Sequence, residues 1–403
     1  MVPRTEHTIS RQDIDKNALN VLYRLNRAHY QSFLVGGGVR DLLLSITPKD
    51  FDVVTDAKPN DIKKVFRNCR LIGKRFRLAH VHFGREIIEV ATFRSNDSKN
   101  VERCKKTGAI RRDNTFGTLE EDAWRRDITI NALYYNIANF SIIDLTGGMK
   151  DLKDKCIRII GDPKERYLED PVRILRVIRL AAKLDFTIEK DTLAPIKSMA
   201  STIADVSNSR IFEEVLKLFH KGAALKTFEL LREQGVFKIL FPSADTAIEK
   251  DEKTLEFVKK ALSNTDQRIN SGKTVTPAFL FSVFLWAPLQ DCFEELLKTS
   301  DERPTVVRQH AMSEVMKQQN KQTVISKHFV NAIRNIWQLQ SRFPRSMNRR
   351  ARNVLTHPRF RAAYDFLLLR AEVEPDLKPI AEWWTDFQFA DHEEQEIMMK
   401  SGK

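Results

Sequence analysis

Three glycines and two aspartates lie close together near the start of the chain, at Gly36, Gly37, Gly38, Asp50 and Asp52. The glycines follow a short apolar run and precede a helical pattern, so they predict a turn between a strand and a helix. Such a turn lets backbone N–H groups approach a phosphate, and the helix N-terminus adds a favourable dipole. Two aspartates at i and i+2 of a strand point to one face, where they can clamp Mg²⁺ together with substrate phosphates. The combination indicates metal-assisted phosphoryl transfer.

Neither half of this pattern is specific by itself. The glycines do not form the dinucleotide-binding fingerprint, because Asp41 stands in the place of its third glycine. They do not form a P-loop either, because no Gly-Lys-Ser/Thr follows. An aspartate pair alone is also common on the surface of a strand. The spacing of the two parts makes the pattern informative.

A third carboxylate lies on a later apolar strand, in the segment EIIEVATFR. Glu89 lies within the apolar run, where burying a charge costs free energy unless the charge has a partner or a function. We therefore prefer it to Glu86, which lies at the start of the run. The alternative for Glu89 is a carboxylate satisfied within the strand. His80 and His82 lie two apart on the preceding strand and are interpreted as ordinary strand residues, since no third metal ligand is near in sequence.

A charged stripe follows on a later helix. Asp170 is a good N-cap with Pro171 after it, and Glu169, Arg173 and Arg176 then share one face. An acid and an arginine side by side can match the donor and acceptor groups of a nucleobase edge. The alternative is a salt-bridged surface helix.

The surrounding pattern predicts the elements that position these residues. Period-2 and period-3.6 runs mix in the first part of the chain, whereas helical patterns dominate from about residue 163. The polar segment 95–123 is interpreted as a long loop. The predicted helices are 17–30, 39–44 and 60–67, and the predicted strands are 32–35, 51–54, 78–83 and 86–93.

The fold class predicted from this pattern is α+β. It consists of an N-terminal catalytic head with a small mixed β-sheet, followed by an all-helical neck and body. The predicted boundaries are residues 1–160 for the head, 161–245 for the neck that carries the base-reading helix, and 246–403 for an RNA-binding body.

Composition narrows the class of protein. The 403 residues are 42% hydrophobic and carry 67 Lys and Arg against 54 Asp and Glu, a net charge of +13. A basic chain of this size favours a polyanionic partner, nucleic acid above all, although solubility alone is the alternative. No apolar run is long enough to span a membrane, and no secretory leader is visible, so a cytoplasmic protein is expected. The cysteines have neither zinc-ligand nor disulfide-scaffold spacing; they are Cys69, Cys104, Cys156 and Cys292.

Two basic clusters are candidate RNA contacts, with a solvated helix face as the alternative for the second. The acidic segment 371–403 is a poor candidate, so RNA binding is predicted to depend on the head and on these clusters and to be sensitive to salt. The first cluster contains Lys63, Lys64, Arg67, Arg70, Lys74, Arg75 and Arg77, and the second contains the arginines of 342–361.

Several blocks in the chain resemble one known family. GGGVRD followed by DFD, the block EDAWRRDITINAL (residues 121–133) and EDPVRILR (169–176) are similar, in this order, to blocks of the class II nucleotidyltransferases. That branch contains bacterial poly(A) polymerases and CCA-adding tRNA nucleotidyltransferases. The resemblance implies that Asp50 and Asp52 hold Mg²⁺ between the ATP phosphates and an RNA 3′-hydroxyl. It also leaves Glu89 as the carboxylate that orients the hydroxyl.

The resemblance further implies a nucleotide site. The glycine turn would cradle the triphosphate, the residues around 126 would meet the ribose, and the helix after 169 would read the base. Arg40 either contacts phosphate or holds Asp41. The residues so assigned are Gly36, Gly37, Arg40, Arg126, Asp127, Asp170, Arg173 and Arg176.

The stretches 71–81 and 113–127 are most similar to the poly(A) polymerase branch. The function expected from the resemblance is therefore template-independent addition of AMP from ATP to RNA 3′ ends, with release of pyrophosphate by two-metal catalysis. The alternatives are CCA addition to tRNA and, because both aspartates are present, less readily a non-catalytic RNA-binding protein. The expected partners are RNA 3′ ends, ATP and RNA-decay proteins, and the expected state is a monomer.

Overall fold

The computed structural model divides the chain into two compact units, Met1–Met199 and Ala200–Lys403. Lys74, Arg75 and about half of the segment predicted as a loop (96–101, 104–109 and 113–114) lie outside the described residues. The three-part division predicted from sequence stays a prediction. The residues described are 1–73, 77–95, 102–103, 110–112 and 115–401.

The first unit is built on a seven-stranded sheet. Its strands are β1 (Ser32–Val35), β2 (Asp52–Thr55), β3 (Cys69–Ile72), β4 (Leu78–Phe83), β5 (Glu86–Thr92), β8 (Leu133–Asn136) and β9 (Ser141–Asp144). Two separate pairs of short strands are β6 (Glu102–Arg103) with β7 (Ile110–Arg112), and β10 (Cys156–Ile157) with β11 (Thr187–Ile188). The sheet order is β3-β4-β5-β2-β1-β8-β9. Only β2 and β5 run parallel among neighbours in this sheet, and the other pairs run antiparallel.

Short helices of the first unit connect and cover these strands. They are α1 (Lys16–Arg27), α2 (Gly37–Leu43), α3 (Pro59–Val65), α4 (Leu119–Arg125), α5 (Gly148–Lys153), α6 (Pro163–Glu169), α7 (Val172–Leu184), α8 (Lys190–Leu193) and α9 (Ile196–Met199). β1 is buried along its whole length, which fits its uninterrupted apolar sequence. On one face of the sheet a core cluster joins strand residues to α4; it contains Phe33, Val35, Val54, Phe93, Ala123 and Tyr134.

The helices and strands predicted within residues 17–93 are confirmed, with small shifts at their ends. The long-loop prediction is wrong at its C-terminal end, where α4 begins at Leu119. There the N–H of Glu121 donates to the Thr118 hydroxyl, and the Glu121 carboxylate accepts from the N–H of Thr118, at 3.3 and 2.8 Å. The T-x-x-E spacing of this capping box is a helix-start signal, and the high charge of the segment outweighed it in the sequence interpretation.

The second unit is helical in all of its described secondary structure. An aromatic cluster that includes Phe228, Phe237, Phe241 and Phe284 lies in its core. The α+β class, with the sheet confined to the N-terminal part, is therefore confirmed. The helices are α10 (Asn208–Phe219), α11 (Ala224–Glu233), α12 (Phe237–Leu240), α13 (Pro242–Lys250), α14 (Glu252–Asn270), α15 (Pro277–Phe284), α16 (Trp286–Thr299), α17 (Pro304–Gln319), α18 (Lys327–Arg342), α19 (Ala351–Leu355), α20 (Phe360–Val373), α21 (Lys378–Phe389) and α22 (His392–Ser401).

Candidate transmembrane helices were sought along the described residues. None of the helices there combines the length and the apolar character that a bilayer crossing requires.

Candidate active site

The glycine turn packs directly against the aspartate segment. Gly36 adopts φ +78° and ψ −143°, a conformation that essentially only glycine tolerates, and α2 starts at the next residue. A Cβ on Gly36 would lie 3.5 Å from Oδ2 of Asp52, and one on Gly38 would lie 3.1 Å from the carbonyl oxygen of Asp50. Gly36 is therefore required by its backbone conformation, and Gly38 is favoured by the closeness of the Asp50 backbone, whereas a Cβ on Gly36 would make only an ordinary contact with Asp52.

The two aspartates do not share a strand as the sequence predicted. β2 begins at Asp52, and Asp50 lies just before it. The two side chains are nevertheless close enough for the charge of Asp50 to affect Asp52. They also remain beside the glycine turn, so the predicted cluster of phosphate cradle and carboxylates is present.

The third carboxylate joins this cluster through the strand register. Asp52 on β2 is directly paired with Glu89 on β5. We call the surface formed by the glycine turn, Asp50, Asp52 and Glu89 the active-site cleft. Asp52 is exposed there, yet protein atoms surround it on most sides. This desolvation, together with the charges of Glu89 and Asp50, raises the pKa of Asp52 to about 6 against the weaker opposing effect of Arg126.

Glu86, the other candidate, lies at the far end of β5 opposite Phe83. Its Oε2 accepts a hydrogen bond of 2.5 Å from the side-chain amide of Asn17 on α1. The geometry therefore favours Glu89 over Glu86 as the neighbour of Asp52.

Arg40 lies beneath the glycine turn and is buried. It donates twice to Oδ1 of Asp41, at 2.5 and 2.8 Å, and once to Oδ1 of Asn131 at 2.6 Å. A Cβ on Gly37 would lie 3.4 Å from its Nη2. Of the two roles that the sequence left open, the contacts favour holding the turn through Asp41.

Arg126 lies on the other side of Gly36, within a buried polar network. Its guanidinium donates to Oδ2 of Asp122 at 3.0 and 3.2 Å and to the Tyr134 hydroxyl at 2.9 Å, and that hydroxyl donates to the same Oδ2 at 2.8 Å. Burial alone would lower the pKa of Arg126, but Asp122 and Tyr134 raise it above its usual range. Nη1 would lie 4.0 Å from a Cβ on Gly36, so the network directs one nitrogen of a fixed cation towards the glycine turn.

The base-reading helix is tied to the head through Asp127. Arg173 donates to Oδ1 of Asp127 at 2.7 Å and to Glu169 at 2.9 Å, and Arg176 donates to Oδ2 of Asp127. Burial would raise the pKa of Asp127, but Arg176 and Arg173 hold it below its usual range. Nη2 of Arg173 makes no hydrogen bond to a described residue. It is therefore a donor that a ligand can use.

The helix itself starts one residue later than predicted. α7 begins at Val172, and Pro171 occupies the N-cap position without a side-chain bond. Asp170 still faces the helix start, because its Oδ1 accepts from the N–H of Val172 at 3.4 Å. Pro171 already has helical backbone angles, φ −59° and ψ −19°, so the difference lies within the one or two residues by which helix ends vary.

The described residues contain no group of three His, Cys, Asp or Glu side chains that could hold a metal ion by themselves. Asp50 and Asp52 fit a hard cation in a different way, since a catalytic Mg²⁺ commonly takes one or two carboxylates and completes its shell with phosphates and water. Desolvation, followed by the charges of Glu89 and Asp50, raises the pKa of Asp52, and a bound cation would offset both effects.

Sequence reasoning missed the residues that hold the site in place. Tyr134 lies on β8, which is not among the strands predicted from sequence, and Asn131 is one position within the block 121–133. The Asp122–Arg126 pair was visible in principle, because an acid four residues before an arginine on a helix forms an ion pair. Nothing in the local sequence indicated that Tyr134 would join this pair, or that Asn131 would accept a hydrogen bond from Arg40.

Comparison with protein families gives three matches along the chain. The Poly A polymerase head domain matches residues 32–158, the probable RNA and SrmB-binding site of polymerase A matches 185–248, and the polymerase A arginine-rich C-terminus matches 300–403. The head-domain match includes the glycine turn, Asp50, Asp52 and Glu89. The third contains the arginines of 342–361.

Individual relatives agree with these matches. Poly(A) polymerase I of Escherichia coli O6:H1 is 47% identical over 408 residues, which cover 99% of this chain and 88% of the relative. The CC-adding tRNA nucleotidyltransferase of Halalkalibacterium halodurans is 34% identical over 228 residues, 57% of this chain and 55% of that one. The crystal structure of the Bacillus stearothermophilus CCA-adding enzyme with CTP has a TM-score of 0.63 at 23% identity, covering 91% of this chain and 80% of that chain, and shows the same fold.

Proposed function

The chain belongs to the bacterial poly(A) polymerase family, and from this premise we propose how the cleft of the first unit performs the reaction. The protein is an enzyme that transfers AMP from ATP to RNA 3′ ends and releases pyrophosphate, without a template. CCA addition is the activity of more distant relatives, which match only about half of the chain. The alternative of a non-catalytic RNA-binding protein is not favoured, because the relatives that match the whole chain are enzymes.

Polymerases of this kind generally use a divalent metal together with ATP. We assign Mg²⁺ to Asp50 and Asp52, with the phosphates of ATP as the remaining ligands. Bound there, Mg²⁺ would make the 3′-hydroxyl more acidic and stabilise the charge that develops on the leaving pyrophosphate. The pKa of Asp52, raised to about 6 by burial and by the neighbouring carboxylates, means that its ionised form is disfavoured, and a cation bound there would favour that form.

Glu89 is assigned to the attacking hydroxyl. It lies beside Asp52 in the sheet and keeps half of its side chain exposed, so a substrate can reach it. A carboxylate in this position accepts a hydrogen bond from the 3′-hydroxyl and orients the oxygen towards the α-phosphate. The backbone at Gly36 and Gly37 then faces the triphosphate.

The remaining groups bind the nucleoside. Arg126, fixed by its network, supplies donors near the ribose, and Asp127 positions the two arginines of α7. Nη2 of Arg173 can donate to a ring nitrogen of adenine while Asp170 accepts from the exocyclic amine. Cytosine offers a similar donor and acceptor pair, so these contacts read the base edge without alone excluding CTP.

The register that places Asp52 beside Glu89 and against Gly36 carries this proposal. The experiment compares Asp50→Asn, Glu89→Gln and the matched control Glu86→Gln in extension of oligo(A) with Mg²⁺ and ATP. We expect Asp50→Asn to lower kcat about 1,000-fold and Glu89→Gln about 100-fold, because metal and hydroxyl interactions act in the transition state. Glu86→Gln should keep activity. Equal activity of the Glu89 and Glu86 variants would remove Glu89 from the mechanism.

The substrate assignment has its own assay. Each single NTP is incubated with oligo(A) and with a tRNA that lacks its 3′ CCA. Long ladders from ATP on both RNAs are expected, with little use of CTP. Addition limited to CCA on the tRNA would contradict polyadenylation.

We also propose that the enzyme acts as a monomer in the cytoplasm and meets RNA-decay proteins. Its net charge of +13 supports contact with RNA and with acidic surfaces of such proteins. Analytical ultracentrifugation tests the monomer, and purification of cross-linked complexes from cells tests the partners.

A further inference from the structure

The row of polar residues in the cleft continues one strand beyond Glu89. β4 is antiparallel to β5, and His80 on β4 is paired directly with Glu89, just as Glu89 is paired with Asp52 on its other side. Directly paired residues point to the same face of a sheet. Asp52, Glu89 and His80 therefore stand side by side on three adjacent strands, with His80 farthest from the glycine turn.

His80 is the inner member of this contact. Its side chain is 17% exposed, whereas that of Glu89 is 50% exposed, and Nε2 of His80 lies 3.3 Å from Oε1 of Glu89. Nε2 is buried and makes no aligned hydrogen bond within the described part of the chain. A buried ring nitrogen favours a structure in which it gains a partner, and the Glu89 carboxylate is the nearest acceptor.

We propose that His80 is a positioning residue for Glu89, donating from Nε2 to Oε1 and thereby aiming the carboxylate at the RNA 3′-hydroxyl. The inference rests on the proposed role of Glu89. At 3.3 Å the two atoms already lie within hydrogen-bond distance, so only their alignment has to change. Catalytic hydrogen bonds are often poorly aligned before substrates bind and tighten in the complex.

The neighbouring histidine, His82, is a comparison for His80, because it lacks a directly paired carboxylate. His82 lies two residues along the same strand and is paired with Ile87, an apolar residue. Its ring centroid is 6.4 Å from that of His80, so the two share a similar location. His82 is thus a control that matches His80 in residue type, strand and face but has no carboxylate opposite.

The test measures kcat and the KM for ATP in the full-length protein for His80→Phe, His80→Gln, His80→Asn and His82→Phe. Phenylalanine keeps the ring and removes the donor. Glutamine can place an amide nitrogen near the position of Nε2, and asparagine can place one only near Nδ1. We expect His80→Phe to lower kcat about 10-fold with little change in KM, as for other residues that orient a ligand or catalytic group. Glutamine should restore most of kcat and asparagine should not, and His82→Phe should resemble the wild type.

A double-mutant cycle with Glu89→Gln separates this inference from the function it rests on. If His80 acts through Glu89, the double variant His80→Phe/Glu89→Gln will be no slower than Glu89→Gln alone. Independent, multiplying losses would overturn the inference, as would wild-type kcat in His80→Phe or equal rescue by glutamine and asparagine. Wild-type activity of Glu89→Gln alone would instead overturn the proposed role of Glu89. If His80→Phe is poorly folded by circular dichroism, the comparison of glutamine with asparagine decides.

Discussion

At the scale of single residues, the cleft concentrates like charges that the fold would be more stable without. Asp52 is surrounded by protein and faces two other carboxylates, and its ionised form is disfavoured until a cation binds. Arg126 shows the opposite arrangement, a cation whose partners are all in place. The site therefore combines one fixed positive group with a cluster of carboxylates that a cation would stabilise.

The first prediction concerns the stability of the metal-free protein. A carboxyl group whose folded pKa is raised contributes stability that is complete below its unfolded pKa and is lost as pH rises through about 6. Asp52→Asn removes this loss. We therefore expect the difference in free energy of unfolding, Asp52→Asn minus wild type, to be larger at pH 7 than at pH 4. The increase should be about 1 kcal/mol or less, because solvent screens an exposed carboxylate. Urea unfolding with EDTA at both pH values measures it.

Asp154→Asn is the control for that experiment, because Asp154 is exposed and distant in sequence from the carboxylate cluster. Added Mg²⁺ should reduce the difference between wild type and Asp52→Asn. A variant that is less stable than wild type at pH 7 would contradict the predicted sign.

The second prediction concerns the Tyr134 hydroxyl, which links Asp122 and Arg126. Tyr134→Phe leaves two buried charged groups short of a hydrogen bond and should lower the free energy of unfolding by about 1–3 kcal/mol. The KM for ATP should rise, because Arg126 loses one of the contacts that fix its direction. Tyr135→Phe is the matched control: Tyr135 is equally buried on the same strand, and its hydroxyl makes no hydrogen bond within the described ranges. Equal stability losses in the two variants would show that the network adds nothing specific.

At the scale of elements, local signals and long-range pairings differ in what a sequence can predict. The turn at Gly36 and the apolar strand before it were predictable, because glycines and short apolar runs act over a few residues. The pairing of Asp52 with Glu89 was not, because it depends on the register of two parallel strands joined through β3 and β4. The near partners Asp41 of Arg40 and Asp122 of Arg126 could be read from spacing, whereas Asn131 and Tyr134 could not, because they come from later segments.

The third prediction tests the turn between β1 and α2. Gly36→Ala forces a side chain into a conformation that glycine alone tolerates, beside Asp52. The free energy of unfolding should fall by about 1–3 kcal/mol, and the KM for ATP should rise because the turn can no longer approach the triphosphate. Gly84→Ala is the control, since Gly84 also has a positive φ but has nothing within 4 Å of the added Cβ. An unchanged KM in Gly36→Ala would separate the turn from ATP binding.

At the scale of the whole molecule, the excess of positive charge is partly neutralised within the chain. Among the arginines of 342–361, Arg352 pairs with Glu396 at 2.9 Å and Arg361 pairs with Asp365 at 2.9 Å. Arg349 and Arg350 are exposed and form no ion pair with a described residue. The sequence could identify the cluster but not which of its members are already engaged.

The last prediction follows from that difference. A phosphate contact releases counterions, so the logarithm of RNA affinity falls with the logarithm of salt concentration by about 0.7 per contact for a single strand. If Arg349 and Arg350 contact RNA, the variant Arg349→Gln/Arg350→Gln should have a salt slope shallower by about 1.4. Arg352→Gln/Arg361→Gln removes the same charge from arginines that hold acids, and its slope should change less. Titration of oligo(A) binding by fluorescence anisotropy between low and moderate salt measures both. Equal slopes in the two double variants would mean that net charge, and not this arrangement of unpaired arginines, governs RNA binding by this cluster.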